Sequence, residues 1–154
     1  MADKSKLGME LPACTFTVEK EKITEFAIAV SQKEDKEQIN PIYYDEEAAK
    51  KAGYQGIPIP PTFPTSAFFW AGGGLMALVK ILGLDLNKLL HREEEYEYFG
   101  SIYAGDVVTR KMKVIDVLRK GNGNKSVEVT VLETDLINQR GELVLRGRTR
   151  LMER

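Results

Sequence analysis

The chain has 154 residues, 43% of them apolar and 29% charged, the balance of a folded domain rather than a disordered one. With 22 Lys and Arg against 23 Asp and Glu the net charge is −1, so there is no general attraction to nucleic acid or to an anionic membrane. A single cysteine, Cys14, and a single histidine, His91, exclude a disulfide framework and leave too few soft ligands for a zinc-type site.

One domain is expected, over residues 8–152, with residues 1–7 as a tail. The first eight residues are charged and lack an apolar signal core. The longest run of apolar residues and glycine, Ala67 to Val79, stops at Lys80, short of the ~20 residues that span a bilayer. A cytoplasmic, non-membrane protein is therefore expected.

In chain order, a short strand at Thr15–Val18 precedes a helix over Glu19–Ser31, where Ile23, Phe26, Ala27 and Val30 recur at helical spacing on one face. The polar stretch Gln32–Gln38 leads to Asn40-Pro41, where proline disfavours helix at the preceding residue and predicts a turn or extended segment. A short helix follows at Asp45–Ala52, with Asp45 as N-cap and Gly53 as the stop. Pro58, Pro60 and Pro61 keep residues 56–61 irregular. From Thr62 to Trp70 the chain is apolar all round, the signature of a buried helix, with Pro64 tolerated in its first turn. Gly72-Gly73-Gly74 weakens or ends it before a second apolar helix at Leu75–Leu84. The glycine triplet does not open a helix after a strand in a βαβ unit, so a nucleotide-phosphate cradle is disfavoured.

Beyond Leu89 the pattern turns to strands: Leu89–Phe99, Val107–Leu118, Ser126–Ile137 and Glu142–Met152. Gly121-Asn122-Gly123-Asn124 and Asn138-Gln139-Arg140-Gly141 are tight-turn sequences, which make the last three strands an antiparallel meander. A fully apolar helix must be covered, and a curved antiparallel sheet wrapped round it does so, an α+β arrangement known as the hot-dog fold.

Ile39-Asn40-Pro41-Ile42-Tyr43-Tyr44-Asp45, Gly53-Tyr54-Gln55-Gly56-Ile57-Pro58-Ile59-Pro60-Pro61-Thr62-Phe63-Pro64, Leu90-His91, Ser101-Ile102-Tyr103-Ala104-Gly105-Asp106 and Asn138-Gln139-Arg140-Gly141-Glu142 together resemble the MaoC-like hydratases and dehydratases, in particular the branch called the FAS1-like dehydratase domain. The resemblance implies a hot-dog domain that binds an acyl group carried on coenzyme A or acyl carrier protein, needs no cofactor or metal, and adds water reversibly across a 2-enoyl thioester to give the (3R)-hydroxyacyl form. It implies an Asp and a His, in the pattern Asp-x-Asn-Pro-x-His, as acid–base groups, and a backbone N–H at the start of the buried helix that polarises the thioester carbonyl. Asn40, Tyr43, Ile57, Pro60, Pro61, Thr62 and Phe63 are the substrate-binding candidates carried over by the motif.

The sequence departs from the pattern at both catalytic positions: Gln38 stands for the Asp and Tyr43 for the His, while Asn40 and Pro41 remain. An amide cannot accept a proton at neutral pH, and a phenol with a pKa near ~10 is a poor base there. Asp35 replaces the missing carboxylate only if the polar stretch forms an unusual loop. The pattern is similar to that of the dyad-less subunit of heterodimeric (3R)-hydroxyacyl-ACP dehydratases, which implies a homodimer or a heterodimer with a dyad-bearing hot-dog chain.

Residue by residue, a structural role for His91 is favoured over catalysis, given Arg92 and three glutamates beside it. Phe63, Phe68, Phe69 and Trp70 are expected in the core, with some also flooring an acyl tunnel, and Tyr44 is a candidate ligand or partner contact. Arg146, Arg148 and Arg150 share one strand face, where solvation is favoured over recognition of coenzyme phosphates. Glu93–Glu95 with Glu97 read as a solvated acidic patch. Three functions remain open: a dyad-less dehydratase subunit, a self-sufficient hydratase or thioesterase using other residues, and a non-enzymatic acyl-thioester binder. The kept Asn-Pro and helix-entry motif favours the first.

Overall fold

Alternating β-rich segments and their turn sequences produce one five-stranded sheet in the computed structural model, which describes residues 4–67, 74–121 and 126–154. The strands are β1 (Glu10–Thr17), β2 (Leu89–Tyr98), β3 (Val107–Lys120), β4 (Val127–Ile137) and β5 (Leu143–Glu153), ordered β1-β3-β4-β5-β2. Every neighbouring pair is antiparallel, so β3, β4 and β5 form the expected meander. Asn138–Gly141 closes the β4–β5 hairpin: the Asn138 side-chain oxygen accepts from the Arg140 and Glu142 N–H groups at 2.9 and 3.0 Å. The corresponding β3–β4 turn, Asn122 to Lys125, lies outside the described residues.

Helix α1 (Lys20–Ser31) lays Ile23 and Ala27 onto the sheet, and Phe26 meets Phe63 edge-on with ring centres 5.5 Å apart. Val30, expected on the same face, is 53% exposed: the last turn carries it past the packed surface before Gln32 ends the helix in the left-handed conformation. The short helix α2 (Glu46–Lys51) starts as expected, with the Asp45 carboxylate accepting from the Glu47 and Ala48 N–H groups at 2.9 and 3.2 Å. Asp45→Ala is expected to cost about 0.5–2 kcal/mol, seen in a thermal melt as a fall of a few degrees.

The apolar segment after the prolines begins as a 3-10 turn, Phe63–Ser66, with Pro64 in its opening positions. Phe63, Pro64, Ser66 and Ala67 are buried, whereas Thr62 is exposed. Residues 68–73, with Phe68, Phe69, Trp70, Gly72 and Gly73, lie outside the described residues. Helix α3 (Gly74–Leu82) then packs Leu78, Val79 and Leu82 against Met112, Val114, Val117, Leu132 and Leu151 of the sheet. A second cluster joins Ile23, Ile57, Phe63, Ile102, Val108, Leu136 and Leu145. The sheet's inner face covering apolar helical segments is the expected hot-dog arrangement.

Charges line the outer face. Arg146 holds Asp135 in a two-pronged contact at 2.7 and 2.9 Å, Arg148 lies 3.6 Å from both Glu95 and Glu133, and Arg150 is 3.0 Å from Glu93. Each of the three arginines, expected to be simply solvated, instead has a carboxylate partner, which argues against phosphate recognition. The Arg146 guanidinium holds the Asp135 carboxyl below its ordinary range. The stability this gives is full above the unfolded carboxylate's pKa, about 3.9, and is lost as pH falls through the lowered folded value. Asp135→Asn is therefore expected to lower the melting temperature at neutral pH, by a loss of up to about 1 kcal/mol for so accessible a pair, with the difference from wild type vanishing in acid.

At the inner face of the β2–β5 ladder, Tyr96 lies opposite Gly147, so close that a Cβ added at Gly147 would stand 3.3 Å from two ring carbons. No helix among the described residues is long and apolar enough to cross a membrane.

Candidate functional site

The Asn40-Pro41 motif works first as a turn. Asn40 is extended, its side-chain oxygen accepts from the Ile42 N–H at 3.2 Å, and Pro41 opens a 3-10 turn through Tyr43. The Thr24 hydroxyl of α1 donates to the Tyr43 carbonyl at 3.0 Å and fixes the turn against the helix. Across from it, Ile57–Ile59 pairs with Ile102–Ala104: the Ile59 N–H reaches the Ile102 carbonyl at 3.1 Å and the Ala104 N–H reaches that of Ile57 at 2.9 Å. Gly105, at φ +90°, turns the chain, and the Asp106 carboxylate accepts from the Tyr103 N–H at 2.8 Å. These motif residues serve as structure.

Between the two segments lies a cleft of about 490 Å³ lined by Tyr43, Tyr54, Pro58, Ile59, Pro61, Tyr98, Phe99 and residues 100–102. Its volume is within the range of small-ligand sites, roughly 300–1,000 Å³, and its lining is aromatic with a few hydroxyls. The Tyr98 hydroxyl donates to the Pro61 carbonyl at 2.9 Å, tying the end of β2 to the proline segment. Burial pushes the Tyr98 phenol up to about 12 and, with the Tyr54 phenol adding to it, raises that of Tyr43. Both remain protonated at neutral pH, as hydrogen-bond donors rather than bases.

Of the candidates read from sequence, Tyr43 and Pro61 line this cleft. Ile57, Pro60 and Phe63 lie behind it as buried support, Thr62 is exposed at its edge of the chain, and Asn40 is an exposed cap. The Phe63 N–H is taken by the Pro60 carbonyl at 3.0 Å and the Thr65 N–H by that of Thr62 at 3.2 Å, so neither is free to polarise a thioester. Gln38 is exposed at the end of a 3-10 turn, Lys36–Gln38. Asp35 is exposed just before that turn, its carboxyl held below the usual range by the Glu37 side chain and then by the Lys36 N–H. His91 lines a different, smaller pocket. Tyr98 and Phe99 were not singled out by the sequence; the signal was an aromatic pair at a strand end, 52% exposed at Phe99. No group of three or more His, Cys, Asp or Glu among the described residues is arranged to hold a metal.

The sequence profile of the family described as "FAS1-like, dehydratase domain region" matches residues 5–146. A UPF0336 protein of Thermobifida fusca (strain YX) is 34% identical over 145 residues, covering 94% of this chain and 88% of that protein. Among solved structures, the C-terminally truncated HadBC (3R-hydroxyacyl-ACP dehydratase) complex of Mycobacterium tuberculosis superposes with a TM-score of 0.73 at 25% identity, covering 96% of each chain. A MaoC-like dehydratase of Rhodospirillum rubrum shares the fold, with a TM-score of 0.67 at 18% identity over 99% of this chain and 96% of that one.

Proposed function

Since the chain belongs to the FAS1-like dehydratase domain family, within the MaoC-like hot-dog proteins, we propose that it is the acyl-thioester-binding, non-catalytic subunit of a (3R)-hydroxyacyl-CoA or -ACP dehydratase of cytoplasmic fatty-acid metabolism. One observation carries the reading: the motif turn around Asn40 is built and faces a cleft, yet it offers a phenol at Tyr43 and an exposed amide at Gln38. Such a site binds and positions an acyl thioester without moving its protons. The missing acid and base come from a second hot-dog chain carrying Asp-x-Asn-Pro-x-His.

Two surface features support a partner. β2 pairs with β5 on one side only among the described residues, and an open edge strand is normally covered. Leu75, Met76 and Ile81 of α3, and Leu90, Tyr98 and Phe99 in and next to β2, are large apolar side chains left exposed, the residue type that interfaces cover. The test is co-expression with a dyad-bearing hot-dog chain, followed by mass determination and assay. A stable complex whose turnover is lost when the partner's Asp or His is replaced is expected; a monomer at micromolar concentration that ignores every such chain would refute the reading.

A further inference from the structure

The sheet has two edges, and only one of them is fit to receive a further strand. β1 carries Pro12 and breaks its register between Leu11 and Cys14, features that blunt an edge. β2 breaks only near its start, between His91 and Glu93. From Glu93 to Tyr98 it runs in unbroken register with β5, and it has no neighbour on its other side among the described residues.

That stretch carries a row of like charge on one face. Glu93, Glu95 and Glu97 alternate along the outer face, opposite Arg150, Arg148 and Arg146 of β5. Arg150 lies 3.0 Å from Glu93 and Arg148 3.6 Å from Glu95, yet the two glutamate side chains are still 50% and 55% exposed. Arg146 gives its two-pronged contact to Asp135, and Glu97 is left exposed. The row is therefore open on the side away from β5.

A second copy of the chain would add through a two-fold axis normal to the sheet, β2 antiparallel to β2, with opposing residues on the same face. Matching the faces puts the axis on a residue, and within Glu93–Glu97 every such register sets glutamate against glutamate. An axis at Glu94 opposes Glu93 to Glu95, and one at Tyr96 opposes Glu95 to Glu97. An axis at Glu95 opposes Glu93 to Glu97 and Glu95 to itself, and one at Glu93 or Glu97 opposes that residue to itself. Like charges directly opposite on neighbouring strands are destabilising, whereas lysine or arginine in their place is stabilising.

We propose that this glutamate row makes β2 selective for its partner: it rejects a second copy of the chain and accepts a hot-dog chain whose own edge strand presents lysine or arginine on the outer face. The inference rests on the reading above, in which a second hot-dog chain covers β2, and adds the chemistry that chooses it. Repulsion of the wrong partner and attraction of the right one arise from the same three side chains.

Sedimentation of the purified full chain tests the rejection and needs no partner. Wild type is expected to be a monomer at micromolar concentration. Glu95→Gln combined with Glu97→Gln is expected to tighten self-association about 10-fold or more, as opposed glutamates are relieved. Arg148 and Arg146 each keep a carboxylate in that variant, Glu133 and Asp135, so the sheet is expected to fold, which a thermal melt verifies. Glu21→Gln with Glu47→Gln, the same charge change at exposed helix positions, is expected to change nothing. A wild type that self-associates as tightly as the β2 variant, or a β2 variant no tighter than the helix control, overturns the proposal. The attraction is read on the complex with a dyad-bearing chain: its association rate is expected to fall with rising salt, and about 10-fold at low salt in the β2 variant. A rate indifferent to both also overturns it. Failure to find any partner sinks the reading above, while sedimentation still decides whether β2 rejects its own copy.

Discussion

Purified alone, the chain is expected to hydrate a medium-chain 2-enoyl-CoA about 10²–10⁴-fold more slowly than a dyad-bearing relative, the contribution of one positioned acid or base. The deficit follows from the chemistry at two positions. Gln38 has no proton-accepting form near neutrality, and burial moves the Tyr43 phenol further from one. Affinity for the acyl thioester is expected to persist, because the aromatic walls of the cleft at Tyr43, Tyr54, Tyr98 and Phe99 do not depend on a catalytic pair. Stopped-assay rates with and without a dyad-bearing chain, alongside calorimetric binding of a saturated acyl-CoA, separate the two quantities. Gln38→Asp combined with Tyr43→His is expected to raise the rate of the chain alone. Brisk medium-chain turnover by the unmodified chain would sink the idea.

Leu132→Ala is expected to destabilise the fold by about 2–5 kcal/mol, the range for emptying a closely packed leucine site. Leu132 is 0% exposed and sits where α3 meets the sheet, against residues such as Leu78, Leu82 and Val114. At this chain length each kcal/mol corresponds to a shift of about 2–4 °C, so a thermal melt should fall by roughly 4–20 °C. A shift under 2 °C would mean that the helix closes the cavity.

The four later strands were legible to within two residues because β-branched runs are interrupted by turn chemistry that admits few alternatives. β1 was not: it begins at Glu10, five residues before the expected Thr15, because a register shift between Leu11 and Cys14 absorbs Pro12 and Ala13 within the pairing to β3. Local propensity carries no sign of that long-range ladder. At the cleft, Tyr43 and Pro61 could be read from the motif, whereas Tyr98 and Phe99 arrive from a strand far along the chain. Glu93–Glu95 read as one acidic patch; in the fold Glu93 and Glu95 face arginines outside, and Glu94 turns in to His91. Simple alternation separates His91 from Glu94, and only the bulge at Arg92 brings them together.

Tyr96 over Gly147 has a consequence for how β2 finds its place. Sliding β2 by one residue would drive Glu93, Glu95 and Glu97 against the inner leucines, so the charges decide which side of the ribbon faces inward. Sliding by two keeps the sides correct and hands Glu93 and Glu95 to the neighbouring arginines, Arg148 and Arg146, at little electrostatic cost. That slip would, however, set the Tyr96 ring over Leu145 or Thr149, both of which carry the side chain that Gly147 lacks. Charge selects the side and the missing methyl selects the notch, so an edge strand far in sequence from its mate is held to a single alignment.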